Sequence, residues 1–223
     1  MLLRFISTIV LAPIAIAAIW FGRPYFDALV FVGGIIAITE WMRVSHANSS
    51  RGAGSYFAWS VVGFLYVGIA CLCLVALRAD PAEGLGLALA FFSIVWATDI
   101  CAYLIGRSLG GPKLAPSISP NKTWSGAIGG LVCGIVAGFL VARGMDLSYG
   151  TLGVVVVGGV ISVASQIGDL LESCWKRHFG VKDSGSLIPG HGGILDRIDG
   201  VLLASPVAYA SQWVAHGGGL PWK

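Results

Sequence analysis

From Lys182 to Gly200 the chain reads KDSGSLIPGHGGILDRIDG, with the aspartates Asp183, Asp196 and Asp199, the basic residues Lys182 and Arg197, His191 and five glycines. Carboxylates are ligands for hard divalent cations such as Mg²⁺, and lysines and arginines bind phosphate oxygens. Glycines at 185, 190, 192 and 193 let the backbone approach a ligand, adopt φ > 0 and turn amides towards an anion. Asp196 and Asp199, three apart, share a face if the segment is helical. Together these residue types point to a metal–polyphosphate site.

The run-in to this segment has its own pattern. Ser162, Ser165, Gln166, Asp169, Glu172, Ser173 and Lys176 recur at steps of three and four, which draws a polar stripe along one face of a helix. Asp169 on that stripe must face a wet cavity, a metal or a basic residue, because an unpartnered carboxylate costs several kcal/mol in lipid. A second polar loop, Gly106 to Gly126, has three prolines, the basic residues Arg107, Lys113 and Lys122, and no acid. It ends in Asn121-Lys122-Thr123, capping-type residues before an apolar run. That suits a helix N-terminus aimed at an anion, alongside the alternative of a loop that only holds orientation. Asp99 shares a helical face with Trp96 and Tyr103 and reads either as a ligand or as a structural partner for a basic residue. Glu40 reads as an interfacial residue.

The elements that must position these groups are apolar. Of 223 residues 56% are hydrophobic and 11% charged, and the mean hydropathy is +0.83, so the bilayer is the solvent. Seven apolar stretches stand out: 5–22, 25–42, 56–77, 84–106, 124–142, 149–171 and 201–214, the first and last short for a full crossing of about 20 residues. The expected fold is an all-α polytopic integral membrane protein of about seven transmembrane helices with a polar site at the cytoplasmic side. Residues 1–80 form N-terminal transmembrane helices, and 81–223 a catalytic region with cytoplasmic loops 106–126 and 172–200. Ala15-Ile16-Ala17-Ala18 leaves signal-peptide cleavage as an alternative reading of the first stretch.

With the N-terminus cytoplasmic, Arg4, Arg43, Arg51, Arg107, Lys113, Lys122, Lys176, Arg177, Lys182 and Arg197 lie inside, and Arg23, Arg78, Arg143 and Lys223 outside. This is ten of the 14 basic residues, as the positive-inside tendency requires. The net charge of +3 therefore points to headgroups and phosphorylated metabolites rather than nucleic acid. Cys71, Cys73, Cys101, Cys133 and Cys174 show no paired spacing and read as packing residues. Gly126, Gly130 and Gly134, at spacing four, read as a close helix contact.

The motifs resemble the phosphatidate cytidylyltransferase (CDP-diacylglycerol synthase) family. Its pattern runs Ser, two residues, Lys-Arg, four residues, Lys-Asp, then Pro-Gly-His-Gly-Gly, two residues and Asp-Arg-x-Asp. Here stand Ser173 to Arg177, Lys182-Asp183, Pro189 to Gly193 and Asp196-Arg197-Ile198-Asp199. The likeness extends to Gln166–Ser173, Ser119–Trp124 and Asp99–Tyr103, about the C-terminal 125 residues; the chain looks shorter than most members. The resemblance implies transfer of CMP from CTP to phosphatidic acid in the cell (inner) membrane, giving CDP-diacylglycerol and pyrophosphate, with Mg²⁺, alone or with a second metal ion. It implies metal carboxylates at Asp169 and Asp196, with Asp199 as a third, and Lys176 on phosphate. Ser173, Lys122, Arg177, Lys182, Arg197 and His191 are the substrate-binding candidates. His191 is expected to hydrogen-bond within the glycine-rich turn rather than act as a base, since a phosphate dianion needs no deprotonation. Asp183 binds metal or pins Lys182. A homodimer is carried as a candidate assembly.

Competing readings are a CTP-dependent kinase of a membrane alcohol, which must activate a hydroxyl, and a CDP-alcohol phosphotransferase, whose aspartate motif Asp196-Arg197-Ile198-Asp199-Gly200 only begins to match. An ion transporter built on Asp99 and Asp169 is the third, but its site belongs at the midplane between broken helices. The orientation predicts that single cysteines at 113 and 182, on a cysteine-free background, react with an impermeant thiol reagent only in opened cells, and one at 223 in sealed cells; external labelling at 113 or 182 overturns it.

Overall fold

The computed structural model describes residues 2–46, 53–185, 187 and 192–215. His191 and its neighbours Pro189 and Gly190, and Lys223, lie outside the described residues. Among those described there are seven helices: α1 (Leu2–Phe21), α2 (Tyr25–His46), α3 (Ala53–Arg78), α4 (Gly84–Leu109), α5 (Trp124–Gly144), α6 (Thr151–His178) and α7 (Leu195–Ala215). Apolar runs become helices because in hydrocarbon every amide must find its partner within the segment. Five of them, α2 to α6, are long and apolar enough to cross a membrane; α1 and α7, the two short stretches, fall outside that measure. The chain is a polytopic membrane protein whose candidate spans are all helices.

Two features differ from the expectation. The 106–126 loop is not wholly irregular: β1 (Lys113–Ala115) and β2 (Ser119–Thr123) pair as a small antiparallel hairpin, with Lys113 opposite Thr123 and Ala115 opposite Ser119. Ile118 N donates to Ala115 O at 3.1 Å, closing a turn with Pro116 at its second position, where the fixed φ of proline fits. The helices also outrun the apolar stretches. α6 carries its polar stripe to His178, and α7 starts at Leu195, so Asp196 and Asp199 sit in its first turns.

Close backbone contacts hold the bundle. Gly126, Gly130, Gly134 and Gly138 of α5 are all buried. A Cβ on Gly126 would lie 2.6 Å from Ala102 O and one on Gly130 2.7 Å from Thr98 O, both backbone of α4. Thr98 Oγ1 and Ser162 Oγ, 2.8 Å apart, tie α4 to α6. Gly168 of α6 lies under the backbone of α7, where a Cβ would be 2.7 Å from Asp199 O, and Gly200 of α7 faces Ser165 in return. At one end of the bundle Arg78 donates to Ile19 O (2.8 Å) and Trp20 O (3.2 Å), and Ser148 N donates to Glu83 (2.7 Å). The 106–126 and 172–200 segments gather at the other.

Gly130→Val would push against Thr98 O, Ala102 Cβ and Ala102 N, none of which can turn away, so it is expected to cost about 2 kcal/mol or more, read as a lowered unfolding midpoint in detergent. Gly153→Ala, with nothing within 4 Å of the new carbon, is expected to cause no loss.

Candidate active site

α6 and α7 run side by side because Gly168 and Gly200 allow it, and this brings the last turns of α6 to the first turns of α7. Lys176 projects from the α6 stripe and donates to Asp196 Oδ1 at 2.6 Å; its ammonium lies 3.1 Å from Glu172 Oε1, one turn back. The three side chains are 12%, 8% and 2% exposed. Asp196 also accepts from Gly193 N at 2.9 Å and from Ser184 N at 3.0 and 3.2 Å. Burial opposes ionisation of Asp196, but the Lys176 ammonium and these two amides outweigh it and hold the carboxyl below its usual range.

Asp169, two turns earlier on the stripe, forms an ion pair with Lys122 and accepts a long hydrogen bond from Ser173 Oγ at 3.5 Å. Lys122 arrives on β2 immediately before Thr123, whose side chain caps α5 by accepting from Gly126 N at 3.2 Å. The capping reading of Asn121-Lys122-Thr123 thus settles on Thr123, and the cap fixes the strand that delivers the lysine. Asp99 of α4 lies in the field of Asp169 and Lys122, and Asp199 of α7 in the field of Asp169, Asp99 and Lys176. Asp99 therefore belongs to the same constellation. The two carboxylates expected to share a cation, Asp169 and Asp196, each meet a different lysine here.

Arg177, Lys182, Asp183 and Arg197 are exposed around this centre, and Arg177 donates to Val181 O at 3.3 Å. Sequence reasoning missed Glu40. Read from the sequence only as an interfacial residue, it is buried within the protein, accepting from Ser184 Oγ, Ile194 N and Leu195 N. Its position near the end of an apolar span was the available signal.

Whether the site suits a divalent cation can be asked of its charges. Asp99, Asp169, Glu172, Asp196 and Asp199 interact with one another or with Lys122 and Lys176, so five acids meet two lysines. Like charges this close favour a bound cation, and carboxylate oxygens are the hard donors Mg²⁺ takes. The donor set fits, although among the described residues no three acidic, histidine or cysteine side chains converge on one point.

The fold and site define a membrane protein with a cluster of acids and lysines at one end of its helix bundle. The cytidylyltransferase family model matches residues 51–214, and the chain belongs to that family. It is 47% identical over 182 residues to a phosphatidate cytidylyltransferase of Brucella suis biovar 1 (strain 1330), covering 82% of this chain and 65% of the relative. It is 35% identical over 213 residues to the phosphatidate cytidylyltransferase of Rickettsia bellii (strain RML369-C), covering 93% and 88%. A Staphylococcus haemolyticus (strain JCSC1435) protein of the same name is 44% identical over 150 residues, 67% of this chain and 56% of that one. The chain thus spans less than two thirds of the length of the Brucella and Staphylococcus relatives.

Removing Lys176 leaves Glu172 and Asp196 buried without their cation, so Lys176→Met is expected to destabilise the fold by about 3 kcal/mol, against within about 0.5 kcal/mol for the exposed Lys182→Met. Unfolding midpoints of the two variants in the same detergent check this.

Proposed function

We propose that the chain transfers a cytidylyl group from CTP to phosphatidic acid, giving CDP-diacylglycerol and pyrophosphate. The observation that carries the reading is the paired lysine–carboxylate centre at the end of an apolar helix bundle, where a water-soluble nucleotide and a bilayer lipid can both reach it. A phosphate oxygen of the lipid forms a bond to the α-phosphorus of CTP, and the bond from that phosphorus to the bridging oxygen breaks, releasing pyrophosphate. The attacking phosphate is already ionised, so the protein's work is to align two anions and to neutralise the charge that develops.

Lys176, braced between Glu172 and Asp196, is the fixed cation for phosphate oxygens. Lys122 supplies a second from β2. Arg177, Lys182 and Arg197 add positive potential around the mouth, and Ser173 and His191 hydrogen-bond to the substrates. Asp169, Asp196 and Asp199 are the residues that would hold Mg²⁺, which when bound neutralises polyphosphate charge. All these groups lie within residues 81–223, in or beside segments 106–126 and 172–200. We assign that face to the cytoplasm of a cell membrane, where CTP is made, and leave the number of copies in the assembly to its mass in detergent.

The test is to incubate the purified protein in micelles with phosphatidic acid, labelled CTP and Mg²⁺, and to separate the lipids. Label in CDP-diacylglycerol with matching pyrophosphate release is expected; no labelled lipid, or transfer of the γ-phosphate to a membrane alcohol instead, overturns the reading. Asp169→Asn and Asp196→Asn are each expected to lower turnover about 10³-fold or more, and Asp99→Asn less. Near-normal, Mg²⁺-dependent turnover in either of the first two removes that residue from the proposal.

A further inference from the structure

We infer that Glu40 is a positioning residue of this site: from α2 it clamps Ser184 and the start of α7, the residues that flank and hold Asp196 beside Lys176. The inference rests on the proposed function for what Lys176 and Asp196 do, but the clamp itself is read from contacts alone.

Glu40 is 2% exposed. Its Oε1 accepts from Ile194 N at 3.1 Å, and its Oε2 from Leu195 N at 2.8 Å and Ser184 Oγ at 3.2 Å. Ile194 and Leu195 open α7, where amides lack partners within the helix and a carboxylate is favoured by the helix dipole. Helix starts usually receive this cap from a neighbouring residue. Here it comes from a helix more than 150 residues earlier.

Asp196 holds adjoining atoms, the amides of Ser184 and Gly193. Ser184 donates its hydroxyl to Glu40 and its amide to Asp196, and Gly193 N donates to Asp196 while Ile194 N and Leu195 N donate to Glu40. The two carboxylates thus tie Ser184 to the backbone of Gly193, Ile194 and Leu195. Glycine is required where they close on it: a Cβ on Gly185 would stand 2.8 Å from Glu40 Oε1 and one on Gly192 2.7 Å from Asp196 Oδ2, and Gly192 has φ +85°. If this tie loosens, Asp196 loses its amides and Lys176 loses its fixed direction. Glu40 also precedes the segment, 51–214, that the family model matches, so that match gives it no role.

Glu40→Gln keeps the shape but replaces one acceptor oxygen by a donor facing backbone N–H groups. Turnover is measured per folded molecule, with the folded fraction taken from gel filtration in detergent, together with amide hydrogen exchange across 184–195. The expected result is a turnover about tenfold or more below wild type with the KM for CTP within about twofold, and faster exchange at 194 and 195. Ser184→Ala, which removes one of the three donors, is expected to show a smaller loss in the same direction. A merely structural role would leave turnover per folded molecule at the wild-type value. That result, or unchanged exchange in Glu40→Gln, overturns the inference. Wild-type protein that makes no labelled lipid sinks the transfer reading instead, and the exchange measurement then decides the clamp by itself.

Discussion

A lysine ammonium held between two buried carboxylates, Lys176 between Glu172 and Asp196, is the interaction on which the site end of this protein depends. Charges removed from water are tolerated only when matched, and breaking such a set is more costly than never having made it. Lys176 reaches Asp196 only because α6 continues as a helix beyond its apolar stretch and α7 begins before its own. Cations in the last turn of α6 and Asp196 in the first turn of α7 also each sit at the helix end that favours their sign. The approach of the two helices through Gly168 and Gly200 is the packing condition for the contact.

The earlier helices are part of the same arrangement. Trp41 of α2 stacks on Trp175 of α6, with ring centroids 3.9 Å apart and an interplanar angle of 14°, directly beside Lys176 in sequence. Trp41 Nε1 donates to Trp59 O at 2.8 Å, which joins α3 to the stack. One apolar cluster takes residues from α2, α3, α6 and α7, among them Ala37, Val67, Trp175 and Leu202. The wall behind the charged centre therefore joins the motif-bearing α6 and α7 to α2 and α3, which lie outside the motif. On the opposite flank the glycine ridge of α5 lets α4 approach closely enough for Asp99 to enter the field of Asp169 and Lys122.

Much of this was legible in the residues themselves. Apolar length located the helices, because hydrocarbon leaves a chain no other way to satisfy its backbone. The three-and-four spacing of Asp169, Glu172, Ser173 and Lys176 showed one polar face, and the motif from Ser173 to Asp199 pointed to the family. The β1–β2 hairpin was not legible: its strands are three and five residues long, too short for any alternation to show, and Pro120 interrupts the second.

What the sequence by itself determined is what local periodicity and composition control: which segments enter the membrane, which face of α6 is polar, where backbone freedom concentrates. Only the tertiary structure decided the partners. Lys122 meets Asp169, Lys176 meets Asp196, and Glu40 meets the start of α7 across 154 and 155 residues of chain. A charged side chain's type says that it needs a counter-group once buried. Which one it finds depends on which helices pack together, and no spacing along the chain records that choice.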